Sequence, residues 1–294
     1  MAIRNRFNNP LLQLATASTL FGLGSLFVVF IDLHPVVIAF YRLLIASICF
    51  AAYLLVKRQS FKTNRHALLF ASLAGIFLGV DLAGWNIGIR EVGPGIATIL
   101  NSLQIFFMAF SGIVFYSIRP NRLLWLSLSI SFIGVIFLSL PEVKSNPHGL
   151  SGIIISIVSG AAFAAAMVLT KNAQKHQHHS VVNTVFYTSV AASLTTFLCA
   201  QFIGASASFH IPDSGSYIAL FFYGSLVHVF AWFLMTDAVN RTSVTLVGLM
   251  MALEPVSVFL IDIGLLGKSI HIMQFIGAGM TIGAVYIGSQ AGKQ

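Results

Sequence analysis

From Leu11 to Ser289 the sequence is a succession of apolar runs, each of about 20 residues, separated by connectors of only a few residues. A run of that length is what a helix needs to cross a bilayer, and so many in succession leave no room for a soluble domain between them. The ten runs cover 11–31, 35–56, 67–89, 95–117, 122–140, 149–170, 181–203, 216–237, 243–266 and 271–289. Each is continuous, without the alternation of polar and apolar residues that barrel strands carry, so the spans are predicted to be helices. Composition agrees, with 57% hydrophobic and 8% charged residues and a mean hydropathy of +0.90. The chain is expected to be an all-α membrane protein.

The 16 Lys and Arg exceed the 8 Asp and Glu, yet their placement argues for orientation and against a nucleic-acid partner. Arg4, Arg6, Lys57, Arg58, Lys62, Arg65, Arg119, Arg122, Lys171, Lys175, Arg241 and Lys293 fall at the termini or in even-numbered connectors. Odd-numbered connectors hold Arg90, Lys144 and Lys268. The positive-inside rule then puts both termini in the cytoplasm of a cell whose inner membrane holds the protein. The first run follows Arg4 and Arg6 but is long and lacks a small-residue cleavage pattern, so it reads as a retained span. Cys49 and Cys199 lie mid-span, where thiols behave as small hydrophobes.

Internal similarity divides the chain in two. "SLQIFFMAF" (Ser102–Phe110) aligns with "ALEPVSVFL" (Ala252–Leu260), "FIGVIFLS" (Phe132–Ser139) with "TIGAVYIGS" (Thr281–Ser289), and "AFYRLL" (Ala39–Leu44) with "VFYTSV" (Val185–Val190). Residues 1–145 and 146–294 are therefore expected to be five-span repeats. An odd number of spans forces the second copy to insert upside down, and such inverted repeats are common in secondary transporters, with substrate bound near the midplane.

Ionisable side chains inside a membrane are costly unless they meet protein, a partner or water. Four spans concentrate polar residues at helical spacing: Asp81, Trp85 and Gly88; Thr98, Asn101, Gln104, Met108 and Ser111; Ser225, His228, Trp232 and Met235; Met250, Glu254, Ser257 and Ile261. These are spans three and four of one repeat and their counterparts, eight and nine, of the other, which points to a shared cavity; helix packing through scattered hydrogen bonds is the alternative. At about 1.5 Å rise per residue, Arg42 and Asp81 reach similar depths and either form an ion pair or touch substrate. His228 and Glu254 fall at the midplane. Glu254 is either a proton site, a handle for a cationic or hydrogen-bonding group of the substrate, or part of a structural kink in which it satisfies backbone groups that Pro255 frees. Trp85 and Trp232 are aromatic walls or members of an interfacial belt.

Other features carry less. "GIFLG" (Gly75–Gly79) and "GMTIG" (Gly279–Gly283) are small-xxx-small pairs suited to close helix approach, the second of them pointing to span ten in intimate packing or in a homodimer contact. The cluster "HQHH" (His176–His179) has no cysteine or carboxylate beside it, so no metal site is expected. There is no HExxH, GxSxG or phosphate loop, so neither enzyme chemistry nor a cofactor is expected.

Three stretches carry a family resemblance: "HPVVIAFYRLL" with Pro35 and Arg42, "AVNRTSVTLVGLMMALEPVSVFL" with the Glu254–Pro255 pair, and "QFIGAGMTIGAVYIG". Over the whole chain they resemble the drug/metabolite transporter superfamily, and within it the EamA-type permeases. The resemblance implies a basket-like bundle in which spans three, four, eight and nine surround a solute. It departs at Gln104–Ile105, where the family often has a proline, which weakens the case for a helix break in the first repeat, and at Lys268 in the last loop.

The sequence thus predicts a secondary transporter, more usually an exporter, of a small organic metabolite such as an amino acid or other amphipathic solute. Asp81, Trp85, Asn86, Asn101, Gln104, His228, Trp232, Glu254 and Ser257 are the candidate substrate-binding residues. Glu254 and His228 are the proton-coupling candidates, and Arg42 and Pro255 are assigned structural roles. A passive channel and a non-transporting structural membrane protein are the alternatives.

Overall fold

The computed structural model describes residues 9–92, 94–143, 150–176, 180–205, 209–264 and 271–291. Among these, all regular structure is helical. The helices are α1 (Pro10–Phe30), α2 (Pro35–Val56), α3 (Arg65–Val92), α4 (Pro94–Asn101), α5 (Gln104–Tyr116), α6 (Arg122–Val143), α7 (Leu150–His176), α8 (Val181–Phe202), α9 (Ser214–Phe222), a π-helical segment Tyr223–His228, α10 (Val229–Asn240), α11 (Val244–Met251), α12 (Leu253–Gly264) and α13 (Ile272–Ala291). Nine stretches of the described residues are long and apolar enough to cross a membrane, and α1 adds a helix of 21 residues. Of "HQHH", only His176 lies among the described residues; Lys268 is outside them.

Local chemistry sets the helix starts. Asn9 accepts from the Leu11 amide with Pro10 at the first helical position, and His34 does the same for Val36 ahead of Pro35. Ser180, Asp213 and Ser243 cap α8, α9 and α11 with their side-chain oxygens. Large side chains such as Leu55, Phe110, Phe202 and Tyr286 face outward. That apolar exterior suits lipid, and the chain is a multi-pass membrane protein.

Helix pairing is related by exchange of the two halves. α3 packs on α7 and α8, while α10 packs on α1 and the π segment packs on α2. Likewise α4 and α5 pack on α7, while α11 and α12 pack on α1; α2 with α8, α5 with α11 and α6 with α13 join like to like. Gly75 and Gly79 bring α3 against Thr188, Ala192 and Thr195 of α8, the close approach that their spacing suggests. Gly279 and Gly283 behave differently: a side chain at either would meet nothing within 4 Å. Span ten instead meets α6 through Gly277 and Thr281 against Gly134.

Two spans are broken in the same way. α11 ends at Met251 and α12 starts at Leu253; α4 ends at Asn101 and α5 starts at Gln104. At each break amides reach back only three residues: Ala252 to Leu249 (3.2 Å) at one, and Leu103 to Leu100 (3.2 Å), Ile105 to Ser102 (3.1 Å) and Phe106 to Leu103 (2.9 Å) at the other. Pro255 accounts for the second break, since it has no N–H to offer the Met251 carbonyl. The first break forms without a proline. There the Ser102 hydroxyl donates to the Thr98 carbonyl (2.8 Å), a back-bond that bends helices. Gly160 of α7 also lies against the Asn101 carbonyl, where a Cβ would sit 2.6 Å away. Gly22 of α1 plays the matching part at the other break, against the Glu254 carbonyl and Ser257.

Candidate functional site

The break at Asn101 presents that residue to Asp81 of α3. Asp81 is buried, and its Oδ1 accepts from the Ser159 hydroxyl of α7 (2.7 Å) and from Asn101 Nδ2 (3.2 Å). Asn101 Nδ2 also donates to Ser159 Oγ (2.8 Å), so the three side chains form a closed set. Among the described residues Oδ2 of Asp81 has no hydrogen-bond partner. The small residues around Ser159 in "SIVSGAAFAAA" (Ser156–Ala166) let α7 lie this close to α3 and α4.

Opposite lies the π segment. Its wider turn bonds residues five apart and so places Tyr223 and His228 on one face, which α-helical spacing would not do. Tyr223 Oη accepts from Arg42 Nη1 (2.6 Å), and the guanidinium carbon stands 5.0 Å from the ring centroid. Phe27 stacks on the same ring at 5.2 Å. His228 is 1% exposed and stacks on Trp232 at 5.9 Å, with Phe21 of α1 at 6.2 Å from the indole. Among the described residues neither ring nitrogen of His228, nor Trp232 Nε1, nor Arg42 Nε has a hydrogen-bond partner. Buried polar atoms are normally satisfied, so a group of four such atoms from three elements, α2, the π segment and α10, needs an explanation.

Glu254 opens the first turn of α12 and is half-buried, without a direct hydrogen bond or ion pair among the described residues. Arg42 lies within electrostatic reach of Asp81, His228 and Glu254, and the two carboxylates lie within reach of each other. The Arg42–Asp81 ion pair is not formed: Arg42 turns to Tyr223, Asp81 to Ser159 and Asn101, and the ion pair seen among the described residues is Arg241–Asp237. The cluster thus holds one guanidinium and two carboxylates, near one another and not collapsed together.

Other candidates sit elsewhere or contribute differently. Trp85 is half-buried one turn along α3 from Asp81. Asn86 Nδ2 donates to the Pro35 carbonyl (3.4 Å) and ties α3 to the start of α2. The Ser257 hydroxyl donates to the Leu253 carbonyl (2.9 Å), and the residue packs on Gly22. Gln104 is buried at the start of α5, where its backbone faces Gly160. Ser159 and Tyr223 are the members of the cluster that periodicity did not single out. Ser159 is one serine in a small-residue stretch that reads as packing, and Tyr223 stands five residues from His228.

A model of the EamA-like transporter family matches residues 9–140 and matches again at residues 150–289. The chain belongs to the EamA-like transporter family. Two copies of the family unit therefore follow one another, and the bonded cluster draws on both. A solved crystal structure of a protein only 13% identical to this member of the family superposes with a TM-score of 0.83 over 97% of this chain and 98% of that one. Similarity at that identity is a similarity of fold. No curated protein matches the sequence.

Proposed function

We propose that this EamA-like transporter is a secondary transporter that carries a small organic metabolite, such as an amino acid or other amphipathic solute, by alternating access, with export as its direction. The observation that carries the reading is the mid-span cluster of Arg42, Asp81, His228 and Glu254, contributed by both family units and not neutralised by direct ion pairs within it. Trp85, Asn101, Gln104 and Trp232 complete the lining, and Asn86 and Ser257 hold its frame. Glu254 and His228 carry the coupling proton.

Residues 1–145 and 146–294 are the two units, each of five spans and inserted in opposite senses. The exchange-related helix pairing supports this arrangement. Ten spans with both termini in the cytoplasm of an inner membrane follow from it. The open side of α13, with Gly279 and Gly283, suits a second copy of the chain.

Counterflow tests the function. Proteoliposomes preloaded with an unlabelled amino acid should take up the same labelled amino acid faster than empty ones, with saturation. Uptake that rises linearly with concentration and ignores the internal solute is the signature of a channel, and it would overturn the proposal.

A further inference from the structure

We propose that Arg42, held in place by Tyr223, recognises a monoanionic group of the transported solute and decides which solutes enter. This rests on the reading of the central cluster as the solute site. A guanidinium keeps its charge at any physiological pH and offers five donors in a planar fork. Arg42 is 9% exposed on α2, so its charge stands in a poorly solvated place, where an uncompensated charge is expensive. Of its donors, Nη1 is taken by the neutral Tyr223 hydroxyl and Nε has no protein partner. Among the described residues no carboxylate forms a direct ion pair with it, although two are within electrostatic reach.

The geometry keeps matters so. Ser159 and Asn101 hold Oδ1 of Asp81, so that the carboxylate is already engaged without an ion pair to Arg42. Gly224 lets the π segment lie against α2, since a Cβ there would fall 2.6 Å from the Ile45 Cβ and 2.9 Å from the Arg42 carbonyl. That approach brings the Tyr223 hydroxyl to Arg42, and Phe27 fixes the ring. The remaining donors form a charge-assisted site for a carboxylate. Asp81 and Glu254, both within electrostatic reach of Arg42, are the groups that would receive a cationic part of the same molecule. One guanidinium facing two carboxylates favours a monoanion joined to a cation and repels a dianionic phosphate ester.

The test compares matched solutes. Purified wild-type protein is heated with each of a set of amino acids, with their methyl esters, which lack the anion, and with inorganic phosphate. The acids should stabilise the protein and the esters should do so much less, by roughly tenfold or more in apparent affinity, the worth of one charge-assisted hydrogen bond. Tyr223→Phe, which removes one hydroxyl, and Arg42→Lys, which keeps the charge and loses the fork, should both shrink the acid-to-ester ratio, the acids losing more affinity than the esters. A merely structural role would move both affinities together. Esters binding as well as acids, or a ratio unchanged in Tyr223→Phe, would overturn the role of Arg42 and leave the transporter reading standing. No stabilisation and no counterflow with any of these solutes would overturn both.

Discussion

Two groups of polar side chains occupy this bundle under opposite rules. At the end of the bundle near Gln13, the charged groups are tied to neighbours, although the buried Thr170 Oγ1 and Gln174 Nε2 beside them have no partner among the described residues. Gln13 Nε2 donates to Asp237 Oδ2 (2.8 Å), Arg241 bonds both Asp237 and Gln13, and Lys171 donates to the carbonyls of Val239 (2.9 Å) and Thr242 at the end of α10. Tyr116 joins the same end through Asn172 (3.1 Å), with Lys175 over its ring at 4.3 Å. Deeper in, Arg42, His228, Trp232 and Glu254 keep donors and acceptors without partners among the described residues. Polar atoms matched within the protein bind helices together, whereas the cost of leaving such atoms unmatched is tolerable where a solute is to meet them.

That contrast is breakable at each point. Asp81→Asn retains an acceptor for Ser159 but loses the charge facing the solute; counterflow should fall by roughly tenfold or more with the melting temperature nearly unchanged. Ser159→Ala removes a buried hydrogen bond worth about 1 kcal/mol and also frees Asp81, so stability and solute affinity should both decline. Asp237→Ala at the tied end should lower stability by about 1 kcal/mol or less, since the pair is partly exposed, and should leave affinity unaltered in a thermal titration. An affinity change there as large as that of Asp81→Asn would erase the distinction between the two groups.

The smallest effect belongs to Asp213, exposed at the start of α9 and outside the spans. Hydrogen bonds from the Ser216 hydroxyl and amide hold its carboxyl below the usual aspartate value. Its contribution is present above that usual value and is lost as pH falls through the lowered one. Asp213→Asn should therefore melt slightly earlier than wild type at neutral pH, and the gap should close on acidification.

The hydropathy of the chain makes the helical spans legible, and its polar periodicity marks Asp81, Asn101, His228, Trp232 and Glu254 as a set. What periodicity does not encode is the neighbour. Asn86 lies within the same polar stretch as Asp81 yet bonds Pro35, and Ser257 shares Glu254's face yet spends its hydroxyl on its own helix. The break at Asn101 was not legible from proline, because Ser102 and the approach of Gly160 bend the chain instead. Tyr223 was hidden by an assumed 3.6-residue turn, which the π segment does not obey. The Arg42–Asp81 ion pair that depth suggests does not form, because Ser159, invisible to that argument, already holds Asp81.

The most direct test is the thermal stability of purified wild-type protein and of Glu254→Gln across a panel of amino acids, polyamines, nucleosides and organic cations. A true solute at about 100 times its dissociation constant should stabilise the wild type by about 2.7 kcal/mol. The account predicts one chemical class that stabilises wild type and loses most of that effect in a Glu254→Gln protein that is otherwise folded. A class that stabilises both equally would contradict it, because the unmatched carboxylate would then have no part in holding the solute.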